Sequence, residues 1–307
     1  MKKSTFKYNI FLLAAAVIWG FAFVAQCNVQ GKINIFLFIG ARFLLGSASL
    51  LPVIFLLENK GEKKAQVKPS GKMTVVGGAV CGTILFIASA LQQWGINISP
   101  SAGKAGFITG IYTVLVPIFY FLFFRKKTGL NVCLGAICAV AGLYLLSVTD
   151  GIESIGFSDI VIFIGAIFWA LHILTIDRFI NKVSPIKFSA VQFGTAGIIG
   201  TLLAFTVGGV SFAEAPSQIL AVGLPLLYVG ICSSGIAYTC QVLGQRGANP
   251  TYAAIILSLE SVFAAVGGAI FGIDNMSVRS YIGCAVIFAG IIISQIDFPI
   301  KKKASGN

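Results

Sequence analysis

The sequence predicts an all-α, multi-pass membrane protein of ten transmembrane helices, arranged as two inverted five-helix repeats. Three observations lead there. The 307 residues are 57% apolar and only 10% Asp, Glu, Lys or Arg, against about 25% charged residues in an ordinary soluble chain, so too little charge exists to cover a water-facing surface. The apolar residues gather into ten runs of membrane-crossing length. Motifs in the first five runs then recur, in order, in the last five.

A spanning helix needs about 20 mostly apolar residues, and irregular backbone facing lipid is not tolerated. The runs are 9–26, 34–57, 72–94, 101–124, 130–148, 157–176, 185–207, 217–241, 250–271 and 279–296. The first follows Met1-Lys2-Lys3 but continues through Trp19, Phe21 and Phe23 with no small-residue cleavage site, so it reads as a retained span and not a signal peptide. The second carries Arg42 with Gly46 and Ser49 on the same face. Gly78 and Gly82 in the third, and Ala102, Gly106 and Gly110 in the fourth, have the four-residue spacing of close helix contact. A basic turn, Arg125 to Lys127, separates the fourth from the fifth. Pro100, Pro117, Pro225 and Pro250 mark ends or bends. Ten such runs occupy about two-thirds of the chain and leave no room for a catalytic domain outside the membrane.

The formal charge of +12 would suggest nucleic acid in a soluble protein, but the basic residues lie between apolar runs and not in an aromatic-laced patch. They act instead as topology signals. With the amino terminus inside, Lys2, Lys3, Lys7, Lys60, Lys63, Lys64, Lys68, Lys72, Arg125, Lys126, Lys127, Arg178, Lys182, Lys187, Arg246 and Lys301 to Lys303 all face the cytoplasm. Lys32, Lys104 and Arg279 fall outside, where Asp150, Glu153, Glu214 and Asp274 lean acidic. Both termini are therefore expected in the cytoplasm and the chain in the inner, cytoplasmic membrane of the cell. The seven cysteines sit within apolar stretches, without paired spacing, and read as small buried hydrophobes. One histidine, His172, excludes zinc chemistry of the His-rich kind, and no metal or other cofactor is expected. No metalloprotease helix, phosphate loop or nucleophile elbow is present, so no enzyme is predicted.

The repeat has an offset of 150. Ala16-Val17-Ile18-Trp19-Gly20 matches Ala166-Ile167-Phe168-Trp169-Ala170, and Phe38 with Ala41-Arg42-Phe43 matches Phe188 with Val191-Gln192-Phe193. Ser99-Pro100-Ser101 corresponds to Asn249-Pro250-Thr251, and Gly135 with Ala141-Gly142 to Gly283 with Ala289-Gly290 at an offset of 148. Residues 1–149 and 150–307 thus form two five-span units. An odd number of spans forces the second unit into the membrane from the opposite side, a design that lets two copies exchange conformations around a shared central site. A purely structural duplication is the alternative.

The segments 14–26 (AAAVIWGFAFVAQ), 92–117 (QQWGINISPSAGKAGFITGIYTVLVP), 166–178 (AIFWALHILTIDR) and 258–268 (SLESVFAAVGG) resemble the EamA-domain branch of the drug/metabolite transporter superfamily over essentially the whole chain. The resemblance implies ten helices in a five-plus-five inverted fold, members that export amino acids and other small metabolites, and a cavity built by spans one, three, four, six, eight and nine. Where relatives usually close span nine with a glutamate, this chain has Gly272-Ile273-Asp274-Asn275.

Ionisable groups inside a span cost about 2.5 to 3.5 kcal/mol on insertion scales, so each needs a reason. Glu260, in the ninth run with Ala264, Gly267 and Gly268 on its side, reads either as a proton-exchanging or cation-recognising group or as a buried acceptor for a neighbouring helix. Arg42 reads either as a structural anchor or as a partner for a substrate carboxylate. Its repeat counterpart, Gln192, is uncharged. Lys104 reads as a side chain snorkelling to the outer interface. Trp169, His172 and Thr175 share a face; His172 can titrate near neutrality or serve as a satisfied hydrogen-bonding group. Ser234, Tyr238, Gln241 and Gln245 make a second polar stripe, and Ser89 with Gln92 or Gln93 a third. With Trp19, Phe23, Thr109 and Tyr112 they suggest an aromatic-walled central cavity lined by neutral donors and acceptors. The predicted binding set is therefore Trp19, Phe23, Gln92, Gln93, Thr109, Tyr112, Trp169, His172, Tyr238 and Gln241, with Glu260 and Arg42 as ionisable groups. The expected function is export of a small metabolite such as an amino acid by alternating access, with a non-transporting membrane scaffold or a passive channel as alternatives. The expected partners are a small-molecule substrate and the lipid bilayer, without nucleic acid; a homodimer is left open.

Overall fold

The computed structural model describes residues 3–61, 70–125, 128–147 and 156–296, and every regular element among them is helical. In the first half, α1 (Lys3–Cys27), α2 (Ile35–Gly61) and α3 (Gly71–Ile98) are continuous; the fourth run is two helices, α4 (Ala102–Gly110) and α5 (Tyr112–Phe124); α6 (Leu130–Ser147) follows. In the second, α7 (Phe157–Phe179) and α8 (Pro185–Thr206) are continuous, and α9 (Ala215–Ala221) is a short surface helix. Next, α10 (Gly223–Leu227), a π-helical stretch (Tyr228–Ala237) and α11 (Tyr238–Gln245) run on as one span. Then come α12 (Pro250–Leu257), α13 (Leu259–Ile270) and α14 (Val278–Gln295). Among the described residues, eight helical segments are long and apolar enough to cross a membrane, and α6 and α14 contribute shorter apolar stretches, Leu130–Leu145 and Val278–Ser294. Large apolar side chains such as Phe55, Phe123, Ile137, Leu202 and Ile292 are exposed around the bundle, a distribution that lipid accepts and water penalises.

Local chemistry explains where the helices begin. Ser70, Ser101, Asn249 and Ser277 each accept a backbone N–H of the first turn they cap. Pro185 and Pro250 stand at first-turn positions, where a missing N–H costs nothing. The expected eighth run, 217–241, is displaced to Gly223–Gln245, because the helix is interrupted at Val222 and a new one begins at Gly223, with Pro225 in its first turn. Pro117 does not end the fourth span, since α5 continues past it. The interruptions fall at Ile111 and Ser258 instead. There the N–H of each cap residue is shared between two carbonyls, Ile108 and Thr109 in one case, Ala254 and Ile256 in the other.

Those two interrupted spans cross each other at their breaks. Ser261 Oγ donates to the carbonyl of Gly106 at 2.6 Å, and Thr113 Oγ1 to that of Ala254 at 3.4 Å, so side-chain hydroxyls tie the two spans together at the crossing. The glycine frames of the repeat also meet in space. A Cβ on Gly142 would come within 2.6 Å of the Gly283 carbonyl, and one on Gly135 within 2.6 Å of the Gly290 carbonyl, so α6 and α14 pack backbone to backbone. Likewise Phe43 of α2 stacks on Phe193 of α8, ring centroids 6.2 Å apart.

The bundle has two ends. At the near end, where α1 begins, Asn9 donates to the Tyr252 hydroxyl at 3.0 Å and the Ser70 N–H to the Lys182 carbonyl at 3.0 Å. At the far end Gln30 donates to the Asn97 carbonyl at 2.7 Å, and Asn34 to the Gly208 carbonyl at 3.1 Å. Gly272, at φ +69°, turns the chain so that Asp274 comes back onto the start of α4. Its carboxylate accepts from Ser101 Oγ at 2.6 Å and from the Gly103 N–H at 2.7 Å. Lys104 does not simply snorkel: its ammonium lies 2.9 Å from Asp159 at the start of α7, since a nearly buried carboxylate there offers a better partner than the interface. Lys2, Lys63, Lys64, Lys68, Lys126, Lys127, Asp150, Glu153 and Lys301 to Lys303, which carry much of the charge asymmetry, lie outside the described residues.

Candidate binding cavity

A cavity opens in the middle of the bundle where the interrupted and π-helical spans meet. From α1 come Trp19, Ala22, Phe23 and Gln26, whose three- and four-residue spacing puts them on one face. Arg42 enters from α2 and Gln92 from α3. Thr109 and Tyr112 flank the α4–α5 break, and Leu257 and Glu260 flank the α12–α13 break. Trp169 and Ile173 of α7, Ser233 of the π stretch, and Tyr238 and Gln241 of α11 complete the wall. The space it leaves for the centre of a water molecule is about 30 Å³.

Aromatic rings form one side. Tyr238 packs against Trp19 at 4.6 Å and stacks on Trp169 at 6.0 Å, and the Trp19 indole N–H donates to the Ser233 carbonyl at 3.2 Å. Two ionisable groups, Arg42 and Glu260, occupy the polar parts. Arg42, 2% exposed, donates from Nη2 to Ser233 Oγ at 3.2 Å, from Nη1 to Gln26 Oε1 at 3.4 Å and from Nε to Ser234 Oγ at 3.5 Å. Its guanidinium lies over the Phe43 ring at 4.9 Å. Among the described residues no carboxylate forms an ion pair with it. Glu260 is also buried, and its Oε1 lacks a hydrogen-bond partner. The Tyr112 hydroxyl faces the Glu260 carboxyl group, and the Trp169 indole N–H and Gln241 Oε1 are buried and unpartnered. Buried polar atoms are nearly always paired, so Glu260 Oε1, the Trp169 N–H and Gln241 Oε1 around one cavity mark groups held for a ligand or for water. Among the described residues no cluster of three His, Cys, Asp or Glu could hold a metal ion.

Ten of the twelve residues singled out from sequence come together here: Trp19, Phe23, Arg42, Gln92, Thr109, Tyr112, Trp169, Tyr238, Gln241 and Glu260. Two do not. Gln93 turns behind the wall and donates to the Gln26 carbonyl at 3.2 Å and to Asn97 Oδ1 at 2.9 Å. His172 stands behind Trp169 and Tyr238, with Nε2 3.1 Å from Gln192 Oε1. Thr175 bonds its own helix at the Leu171 carbonyl. Of the residues missed, Gln26 was within reach, since it follows Trp19 by seven and Phe23 by three. Ser233 was not. The π-helical stretch changes the register, so Ser233 and not the expected Ser234 lines the wall, although both reach Arg42.

Comparison with known proteins agrees with this architecture. The pattern of the EamA-like transporter family matches residues 6–148 and 156–295. An uncharacterized transporter of Archaeoglobus fulgidus is 25% identical over 285 residues, which cover 93% of this chain and 84% of that protein. The uncharacterized transporter YwfM of Bacillus subtilis is 25% identical over 306 residues, covering 97% and 96%. A solved crystal structure at 18% identity shares the fold with a TM-score of 0.70, over 94% of this chain and 96% of the other. A multi-pass helical bundle, built of apolar spans and matched by the family pattern along nearly its whole length, belongs to the EamA-like transporter family.

Proposed function

We propose that this transporter exports a small zwitterionic metabolite, an amino acid or a close relative, across the cytoplasmic membrane by alternating access. The observation that carries the reading is the cavity's two-pole chemistry: a buried arginine with only neutral protein partners, and a buried glutamate with an unpartnered oxygen, set among aromatic rings. Arg42 binds the solute carboxylate through its fork of N–H donors. Glu260 holds the ammonium group or exchanges a proton with it. Trp19, Trp169 and Tyr238 stack on the remainder. Gln92, Thr109, Tyr112 and Gln241 supply neutral hydrogen bonds. His172 and Gln93 act from behind the wall.

In alternating access the walls of the cavity part to admit the solute and close behind it. The α4–α5 and α12–α13 breaks supply the places to bend. We further propose that 1–149 and 150–307 are inverted five-helix repeats, that α6 and α14 complete a set of ten spans, and that both termini are cytoplasmic. The pairing of α6 with α14 and of α2 with α8 supports the repeat, which lets two copies exchange roles across a central site.

The test is a thermal-stability screen of purified protein against amino acids, nucleobases, sugars and cationic drugs, followed by counterflow in proteoliposomes with any binder. A ligand at about 100 times its Kd adds about 2.7 kcal/mol to the folded state, which is readily seen. Stabilisation by amino acids with saturable counterflow supports the reading. Stabilisation by cationic drugs alone removes the amino-acid assignment. Flux without saturation or counterflow indicates a channel, and binding without flux indicates a scaffold.

A further inference from the structure

Between the cavity and the near end of the bundle lies a column of buried polar side chains that the cavity does not use. His172 stands edge-on to Trp169 and to Tyr238, ring centroids 5.8 Å away in both cases. Its Nε2 meets Gln192 Oε1 of α8, and the Cys81 thiol of α3 donates to the same oxygen at 3.2 Å. Gln245, one turn beyond Gln241, donates to the Ile173 carbonyl at 3.0 Å. Yet His172 Nδ1, Gln192 Nε2, Gln245 Oε1 and Ser189 Oγ have no partner, although each of these residues is at most 2% exposed. Unpaired polar atoms in a dry place are costly, and four of them from three helices are accounted for if these surfaces meet water or a solute in another state.

A second observation concerns how the column is shut. Glycines of α3 face it. A Cβ on Gly77 would lie 2.8 Å from the Phe179 ring, one on Gly78 2.7 Å from the Val191 side chain, and one on Gly82 2.8 Å from Thr195 Cβ. Bare backbone therefore lets α3 lie close on α7 and α8, with the Cys81–Gln192 hydrogen bond reaching across the seam.

We propose that this seam, where α3 lies against α7 and α8, is the route between the cavity and the near end, closed in this conformation and lined when open by His172, Ser189, Gln192 and Gln245. The proposal rests on the transport reading, because only a site that opens needs a route.

Cys81 is buried in the seam and serves as its reporter once Cys27, Cys133, Cys138, Cys232, Cys240 and Cys284 are replaced by alanine. The probe is a charged, membrane-impermeant maleimide, applied to intact cells and to inside-out vesicles. In the cysteine-free background Arg246→Cys marks the near end and Asn275→Cys the far end, both being exposed. Cys81 is expected to react only from the side that labels Arg246→Cys, and Gly78→Ala, which wedges the seam, to raise that rate about tenfold. Should the wedge fail to fold, Ser189→Cys in the cysteine-free background is the second reporter and labels from the same side. A Cys81 that labels from the far side overturns the route. So does a Cys81 that stays inert while Thr109→Cys in the cavity reacts, an outcome that leaves transport itself intact. If neither reacts from either side, the cavity does not open, and the transport reading falls together with this one.

Discussion

At the scale of single residues, the cavity separates what a side chain does for the fold from what it does for a solute. Glu260 is buried with one carboxyl oxygen unpartnered, which is poor design for a group that only glues helices together. Glu260→Gln preserves shape and hydrogen bonding but cannot carry charge or a proton. It is expected to fold and to lose transport by about tenfold or more, with a changed pH profile, the scale expected when one buried charged hydrogen bond is lost. Wild-type rate and pH profile in proteoliposomes would make Glu260 structural. Tyr238 touches Trp19, Trp169, Phe43, Phe193 and His172, so Tyr238→Ala loses packing as well as ligand contact. Trp169→Ala is the cleaner probe, because its indole N–H has no protein partner. It is expected to weaken solute binding by roughly tenfold while the protein stays folded, a loss of about 1 to 2 kcal/mol of stacking and hydrogen bonding. Unchanged affinity, measured by titration calorimetry on a verified ligand, would remove Trp169 from the site.

Elements show where sequence patterns translate into structure and where they stop. Apolar runs and their punctuation located the helices well, because lipid leaves the backbone so few options. Helical spacing found most of the cavity, because a stripe of Trp, Tyr and Gln cannot face lipid cheaply. Positions set by irregular helix were not legible. The Ile111 and Ser258 breaks carry no proline or glycine of their own, and the π-helical turn moves Ser233 into the place that regular spacing assigns to Ser234. Long-range pairings such as Lys104 with Asp159 were equally hidden, since nothing local announces a partner 55 positions away. The glycine frame of α6 and α14 tests the packing itself. A Cβ on Gly142 would meet the Gly283 carbonyl and the backbone N–H of Ile287 at 2.6 and 2.8 Å, and backbone cannot rotate aside. Gly142→Ala is therefore expected to lower stability by about 1 to 3 kcal/mol, read as a fall in melting temperature in detergent. Gly71→Ala, whose Cβ would meet nothing within 4 Å, is the matched control, and equal behaviour of the two variants would show that α6 and α14 do not depend on close backbone contact.

For the whole molecule, the question is which end faces the cytoplasm. The near end carries Lys7, Lys72, Lys182, Lys187 and Arg246, and the far end carries Lys32, Lys104 and Arg279 together with Asp159, Glu214 and Asp274. Lysine and arginine near span ends resist translocation across the membrane, so their excess fixes orientation, whereas acidic residues contribute little. That asymmetry supports the proposal that the near end faces the cytoplasm. It also gives the two ends different locks: an ion pair and a carboxylate-capped helix start at the far end, and the neutral Asn9–Tyr252 bond at the near end. Single cysteines at Lys182 and Lys32, both exposed, test the orientation directly. An impermeant maleimide is expected to label Lys32→Cys in intact cells and Lys182→Cys only after the cells are opened. Each substitution removes one basic residue from a loop that holds or faces several others, so neither is expected to invert the protein. Labelling of Lys182→Cys in intact cells would reverse the orientation. The column beside His172 would then lead outward and the ionic lock would guard the cytoplasmic side.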